Sequence, residues 1–388
     1  MRAATSFRRP IHAMHVGLNL IYLVPDETGG PEIYARELIP ALRRVAPETR
    51  FTAFINREAA ASGGPWIDEV EHIQMPLWAA NRLNWVRGEQ LMLPRWARRE
   101  GVDLVHSLAN TGPTWGRFAR VTTIHDLLYL IVPEAHFGLR GRGMRVLVPA
   151  AARRSDRVIA ISRSTRDDVV ARLGVPRERI DVVPQGVGAS PAAQPLPEGE
   201  LRSRFELGDR RILLSVSTKR AHKNLRRLLD AHAQISAEER PLLVLPGYPT
   251  PHEEELRRQA RDLRIAGDVR FLGWLAPAEL EGLYGVAEAF VFTSRYEGFG
   301  MTVLEAMSRG VPVACSNASA IPEVAGDAAL LFDPDSTEEI AGAIRSLLVD
   351  AQLRARLAEA GRRRAAEFSW ERTARETVET YRRALGSS

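Results

Sequence analysis

Short apolar runs alternate with longer helix-periodic stretches from one end of this 388-residue chain to the other. That alternation restricts the fold severely, because a strand followed by a crossover helix returns parallel to its predecessor. In the first half the strand-like runs are His15–Leu20, Phe51–Ile55, Glu71–Met75, Asp103–His106, Val121–His125, Val158–Ile161 and Ile180–Val183. Helical patterns fall between them, for instance at Glu32–Val45, Asn84–Arg99 and Ser164–Leu173. A Gly-, Pro- and Ala-rich stretch, Gly186–Gly199, breaks the series, and such composition suits a linker. The alternation then restarts at Ile212–Ser217, Leu242–Leu245, Val269–Leu272, Phe290–Thr293, Val311–Ser316 and Ala329–Phe332. The expected fold is α/β, with two doubly wound parallel-sheet domains facing across a cleft. The expected boundaries are a first domain at 1–188, a linker at 189–199, a second domain at 200–367 and a last helix within 368–388, capped by Ser369.

Composition excludes several classes. No apolar run approaches the ~20 residues that span a bilayer, and the start of the chain, with Arg2, Arg8 and Arg9 before a broken apolar run, reads as a first strand and not a signal peptide. The single cysteine, Cys315, falls in an apolar run and rules out an internal disulfide. A cytoplasmic location is expected. The net charge of +5 is uneven, with the excess of arginine in the first half; this basic half suits peripheral contact with an anionic membrane, at the inner face of the cell membrane. A basic segment, His136–Arg145 continuing to Arg154, is expected to be a mobile loop, since three glycines disfavour a helix there. The basic residues are scattered and lack interleaved aromatics, so nucleic acid is not an expected partner.

The chemistry concentrates around Glu297-Gly-Phe-Gly-Met-Thr-Val-Leu-Glu305. Two carboxylates flank a Gly-Phe-Gly turn that follows a strand-like run and opens a helix. Two glutamates at this spacing also arise by chance on exposed helices, but Gly298 and Gly300 would weaken a helix and need a backbone reason. A glycine turn lets phosphates approach the backbone amides at a helix start, so phosphates at one end and hydroxyls nearby, as in a nucleotide sugar, fit the site. The chain's two lysines, Lys219 and Lys223, lie just after another strand, where compact ammonium groups suit a diphosphate. In the first half, His125 and Asp126 end a strand at the edge where doubly wound sheets bind ligands. Gly29 and Gly30 follow the first strand and open a helix, without the spacing of a dinucleotide fingerprint.

The stretch from Phe290 to Pro334 resembles the signature region of retaining glycosyltransferases of family four, which have the GT-B architecture of two Rossmann-like domains. Their pattern, Glu-Gly-Phe-Gly-Leu-Pro-x-x-Glu followed by Gly-x-Pro-Val and Pro-Glu-Val-x-Gly-Asp, is matched except at Met301-Thr302. Lys223-Asn224 and Ile124-His-Asp-Leu127 are similar to that family's mannosyltransferase-like members. The resemblance implies transfer of a hexosyl unit, mannose being the leaning, from a nucleoside-diphosphate sugar to a hydroxyl of a glycan or lipid-linked acceptor, with retention of configuration. Cell-surface polysaccharide synthesis is the implied setting. It implies that Lys223, with Lys219 or its neighbour Arg220, binds the donor diphosphate together with Gly30 and the amides of Gly300, Met301 and Thr302. Glu297, Gly298 and Phe299 would hold the sugar, Glu305 the ribose, and His125 and Asp126 the acceptor side; His125, Glu297 and Lys223 are the implied catalytic set. It also implies that the last helix crosses back onto the first domain.

No cofactor is expected, since lysine and a helix start neutralise a leaving diphosphate without a metal. Two other readings stand beside this one: a sugar-nucleotide 2-epimerase of the same architecture, and a non-enzymatic two-lobed sugar-binding protein.

Overall fold

The computed structural model of the chain describes residues 14–25, 27–132, 138–188 and 193–386, without the side chains of 138–142. Met1–Pro10, part of the expected linker and the start of the basic segment at His136 lie outside them. The first sheet runs β1 (His15–Leu20), β2 (Arg50–Ile55), β3 (Glu71–Gln74), β4 (Leu104–Ser107), β5 (Ala119–Ile124), β6 (Arg157–Ala160) and β7 (Ile180–Val182). The second runs β8 (Ile212–Leu214), β9 (Leu242–Leu245), β10 (Val269–Phe271), β11 (Ala289–Phe292), β12 (Val313–Ser316) and β13 (Ala329–Phe332). Their spatial orders are β3-β2-β1-β4-β5-β6-β7 and β10-β9-β8-β11-β12-β13. Every pairing between them is parallel, as in β1 with β4 and β8 with β11.

Helices cover the sheets, so central strands are buried on both faces and read as continuous apolar runs. Strands β8, β9, β11 and β12 are buried at every residue. Two strands are shorter than their apolar runs by two or more residues. β8 stops at Leu214, so Val216–Thr218 lie beyond the sheet edge. β12 starts at Val313 because Pro312 has no N–H to donate; its carbonyl still accepts from Phe290 N at 2.9 Å.

The basic segment departs from expectation: Gly138–Arg154 is one helix. Helix formation is decided here by packing, with Val148 and Ala152 buried among Ile124, Leu127 and Val158. Burying Val148 contributes about 1.5–3 kcal/mol, and Met144 and Leu147 pack on the cores as well, which offsets roughly 1 kcal/mol per glycine.

The last helix is Trp370–Ala384, with the Ser369 hydroxyl accepting from Arg372 N. Trp370, Ala374, Val378 and Tyr381 recur on one face and are buried in the first sheet's core beside Tyr34 and Leu38. The helix before it, Ala351–Ala366, buries Ala365 in the second sheet's core. The chain therefore passes between the sheets twice, and the two passes touch where Val187 N donates to Phe368 O at 3.1 Å.

Candidate active site

In both sheets the order reverses between the two central strands, β1 beside β4 and β8 beside β11. Doubly wound sheets bind ligands outside the carboxyl ends of strands at such points. Here the two points face one another across a cavity of about 450 Å³.

The second-domain wall is the turn between β11 and the helix Met301–Ser308. Gly300 caps that helix at φ 122°, a conformation side chains disfavour. Gly298 is needed for another reason: a β-carbon there would sit 1.9 Å from the carbonyl oxygen of His125 in the first domain. Three further contacts hold the domains together around this point. Thr165 Oγ1 donates to Gly298 O at 3.0 Å. Tyr296 donates to Asp168 Oδ2 at 2.9 Å and accepts from Leu127 N at 3.3 Å. Both oxygens of Glu323 accept backbone N–H groups, from Arg163 and Ser164, at 3.0 Å.

Lys223 Nζ lies 2.6 Å from Glu297 Oε1, and each side chain is less than a fifth exposed. Ser319 Oγ accepts from Glu297 N at 2.8 Å, which fixes the glutamate's backbone. Across the cavity, Asp126 Oδ1 accepts from Leu128 N at 2.9 Å. Burial raises the Asp126 pKa and the Glu297 charge adds to this, while Lys223 and Arg220 oppose it. The floor is therefore two carboxylates facing two cationic side chains.

His125 is held by both ring nitrogens: Nε2 meets Leu108 O at 2.8 Å, and Nδ1 meets Gln185 Nε2 at 3.2 Å. The arrangement fits a neutral ring donating from Nε2 and accepting at Nδ1. Burial drives its pKa down to about 4, so at neutral pH it carries no charge with which to stabilise an anion.

Most of the residues singled out in the sequence line this cavity: Gly30, His125, Asp126, Lys223, Glu297, Gly298, Phe299, Gly300 and Met301. Three do not. Lys219 is a correction: its side chain is fully buried and Nζ donates to Gly247 O at 2.5 Å and Leu272 O at 2.7 Å. The ammonium ties the ends of two strand loops together and does not line the cavity, whereas its neighbour Arg220 does. Glu305 lies outside the cavity as well. Its Oε2 accepts from Tyr284 Oη at 3.3 Å, and burial raises its pKa. Glu297 lies in the turn before the helix, whereas Glu305 lies four residues into it after Met301, about 6 Å along its axis. Thr302 likewise does not line the cavity.

Asn110 and Gln185 are cavity residues that the motifs passed over. Asn110 Oδ1 accepts from His125 N at 2.7 Å. Both follow the carboxyl ends of strands, β4 and β7, so the sheet-edge rule that selects His125 selects them too. Among the described residues, no cluster of three or more His, Cys, Asp or Glu could hold a metal ion.

Comparison with known proteins agrees with this architecture. Residues 198–364 match the model of glycosyl transferases group 1, and residues 28–190 match that of glycosyltransferase family 4. O-antigen chain mannosyltransferase B of Escherichia coli is 31% identical over 311 residues, covering 76% of this chain and 80% of that protein. The serotype-specific mannosyltransferase WbdA of the same organism is 30% identical over 278 residues, 69% of this chain, which spans only 34% of WbdA. Among solved structures, sucrose-phosphate synthase of Thermosynechococcus elongatus superposes with a TM-score of 0.75 at 21% identity, covering 97% of this chain and 100% of that one. Anabaena HepE in complex with UDP-glucose gives 0.74 at 21% identity, covering 95% and 99%. Two facing Rossmann-like domains, a glycine turn flanked by Glu297 and Lys223, and family matches to both halves lead to one conclusion: the chain is a GT-B glycosyltransferase and belongs to the group 1, family 4 glycosyltransferases.

Proposed function

We propose that this glycosyltransferase moves a mannosyl unit from a nucleoside-diphosphate mannose to a hydroxyl of a glycan or lipid-linked acceptor, retaining the anomeric configuration. The observation that carries this reading is the Lys223–Glu297 pair at 2.6 Å, set between the glycine turn and the Asp126–His125 wall. A donor diphosphate offers Lys223 a more strongly charged partner than one carboxylate, with Arg220 beside it. Glu297, released from the lysine, then accepts hydrogen bonds from sugar hydroxyls. The Gly300 and Met301 backbone borders the phosphates, and Gly30 closes the site from the first domain. Stabilising the departing diphosphate with Lys223 and Arg220 lowers the barrier to breaking the glycosidic bond without a metal ion. His125, neutral and pinned, shapes the acceptor side; the departing phosphate oxygen takes the acceptor's proton.

Mannose is supported by the relatives' names, which include the MMP alpha-(1->4)-mannosyltransferase of Mycolicibacterium hassiacum, 32% identical over 243 residues, 60% of this chain and 56% of that protein. One relative is named for the O-antigen chain and another for phosphatidylinositol monomannoside, and these names support a setting in cell-surface polysaccharide synthesis. Peripheral membrane contact through the first domain is supported by the exposed Trp78, Leu83, Leu91 and Trp115, with Arg57 over Trp78 and Arg95 over Trp115. No helix among the described residues is long and apolar enough to cross a membrane. The test is incubation with GDP-, UDP- and ADP-linked hexoses and an acceptor mixture. Glycosylated product with an equal amount of free nucleoside diphosphate, and an α-linkage by NMR, is the expected result. Conversion of the donor sugar alone would indicate the epimerase instead.

A further inference from the structure

Between the α-helical segments Arg82–Arg87 and Leu93–Arg99, residues Gly88–Met92 form a single π-helical turn. Pro94 has no N–H to return to the Gln90 carbonyl, which accepts from the Trp115 indole at 2.6 Å. Such turns inside helices recur at functional sites. Here Glu89 and Gln90, successive in the chain, both bond to the loop that follows β4.

Glu89 is fully buried and makes no ion pair among the described residues. Its Oε1 accepts from Thr111 Oγ1 at 3.0 Å and from Asn19 Nδ2 at 3.1 Å; its Oε2 accepts from Gln90 Nε2 at 3.3 Å. A carboxylate takes all three donors, where an amide would turn its own NH2 towards one of them. Burial still lifts the Glu89 pKa to about 7, so the group is kept there at a cost. Gln90 adds a second attachment. Its Nε2 donates to Gly112 O at 2.9 Å, and its Oε1 accepts from Thr114 N at 3.1 Å and Thr114 Oγ1 at 2.9 Å.

The same loop holds one wall of the cleft. Leu108 O meets His125 Nε2 at 2.8 Å, and Asn110 Oδ1 accepts from His125 N at 2.7 Å. Asn110 Nδ2 donates to Asp126 O at 3.2 Å. His125 and Asp126 are thus bonded to a loop with no helix or strand of its own, and that loop is bonded to the π-turn. Neither Glu89 nor Gln90 lines the cavity.

We propose that Glu89 and Gln90 are positioning residues of the transfer reaction. Through Thr111, Gly112 and Thr114 they fix the loop that sets His125 and Asp126 against the acceptor. This rests on the transferase reading above and adds to it the support of its acceptor side.

The test uses the full chain, with GDP-mannose as donor and methyl α-mannoside as the acceptor probe. In Glu89→Leu and Gln90→Leu, kcat/KM for the acceptor is expected to fall roughly tenfold or more, mainly through KM, as misplacement of a reacting group by about an ångström does. Affinity for GDP, read by calorimetry, should stay near that of wild type. Glu89→Gln keeps one acceptor oxygen and should recover part of the loss. Thr111→Val leaves the buried carboxyl in place, should raise the acceptor KM as well, and should add little to Glu89→Gln. Where Glu89→Leu fails to fold, Thr111→Val carries the measurement.

A second readout needs no substrate. Nitrogen NMR of histidine-labelled protein should show the His125 ring as one tautomer in wild type and as a mixed or faster-exchanging signal in the variants. His232, buried in the second domain with Nε2 at 2.9 Å from Pro241 O, should not change and serves as the control. An unchanged acceptor KM, with activity and GDP affinity falling together, would reduce the pair to a structural role, and so would an unchanged His125 signal. A wild-type chain that transfers to no acceptor removes the transferase reading itself, and the His125 signal then decides whether the pair holds that wall.

Discussion

Lys223 and Glu297 neutralise each other at 2.6 Å in the middle of the cleft, with Asp126 on the opposite wall. Two sequence segments that lie far apart, one after β8 and one after β11, are brought together by the adjacency of those strands. On the function proposed above, a nucleotide sugar separates the pair, the lysine taking the phosphate and the carboxylate the hydroxyls. Lys223→Ala removes the phosphate's partner and leaves the Glu297 charge unopposed beside it. Nucleoside-diphosphate affinity should fall by about tenfold to a hundredfold, the range for hydrogen bonds to charged groups. Glu297→Gln removes the repulsion, so it should leave nucleoside-diphosphate binding equal or tighter while lowering transfer. Calorimetry with the diphosphate and a turnover assay separate the two effects; equal diphosphate affinity in Lys223→Ala and wild type would contradict the assignment.

Lys219 makes the opposite prediction from its neighbour. Its ammonium satisfies the Gly247 and Leu272 carbonyls from a fully buried position. Lys219→Met keeps much of the volume but strands two buried acceptors, at about 1–3 kcal/mol each. Thermal unfolding should therefore shift down clearly, while the folded protein's affinity for a nucleoside diphosphate stays near wild type. A loss of affinity with an unchanged melting temperature would restore Lys219 to the donor site.

Gly298 meets the other domain too closely for any side chain. Gly298→Ala places a β-carbon against the His125 carbonyl, which is backbone and cannot rotate away. The domains must separate or the signature turn must move, disturbing the Thr165 and Tyr296 contacts around it. Transfer should fall by at least tenfold, as sub-ångström to ångström misplacement of reacting groups does. Secondary structure by circular dichroism should be unchanged, and scattering should report a more open particle.

Glu323 acts across the same junction, its two oxygens holding the Arg163 and Ser164 amides. Glu323→Ala leaves two amides of the first domain without their carboxylate. Limited proteolysis between the domains should accelerate, and donor binding, which uses residues of both walls, should weaken several-fold. Glu323→Gln keeps one acceptor oxygen and should fall between the two.

The fold was legible because its central strands are buried on both faces and stand out as apolar runs; β1 and β9 coincide with their runs to the residue. The glycine turn was legible because Gly298 and Gly300 have no use within a helix. What the motifs could not convey is direction. Lys219 and Lys223 look equivalent in a basic loop, yet the three intervening residues turn one inward to two carbonyls and the other to Glu297. Glu305 shares a motif with Glu297, but Glu297 stays in the turn while Glu305 sits inside the helix, bonded to Tyr284 and off the cavity. The domain-bridging roles of Glu323, Tyr296 and Gly298 depend on how two sheets pack, and no local pattern encodes that. The helix at Gly138–Arg154 was obscured by glycines whose cost is offset by burial of Val148 and Ala152.

His106 links the last helix to the first sheet and should make that link pH-sensitive. Its Nδ1 meets Tyr381 Oη at 2.7 Å and its Nε2 meets Thr123 Oγ1 at 2.8 Å, in a fully buried setting. Burial, with a smaller push from His125, drives its pKa down to about 3. A folded-state pKa below the unfolded value of 6.5 means that the folded chain binds fewer protons than the unfolded chain between those limits. The contribution is therefore fully present above pH 6.5 and is lost as pH falls towards the folded-state value. His125, His222 and His232, each lowered to about 4 by burial, act in the same direction. Glu89 acts oppositely: burial raises its pKa to about 7, so its contribution is lost as pH rises through neutrality. Stability should thus peak near neutral pH and fall on acidification, with His106 accounting for roughly 3 kcal/mol between pH 6.5 and 4. His106→Gln, which can still hydrogen-bond but cannot take a proton, should flatten the acid limb of the melting temperature against pH while lowering it at pH 7. Parallel acid limbs for the variant and wild type would show that another group controls the acid transition.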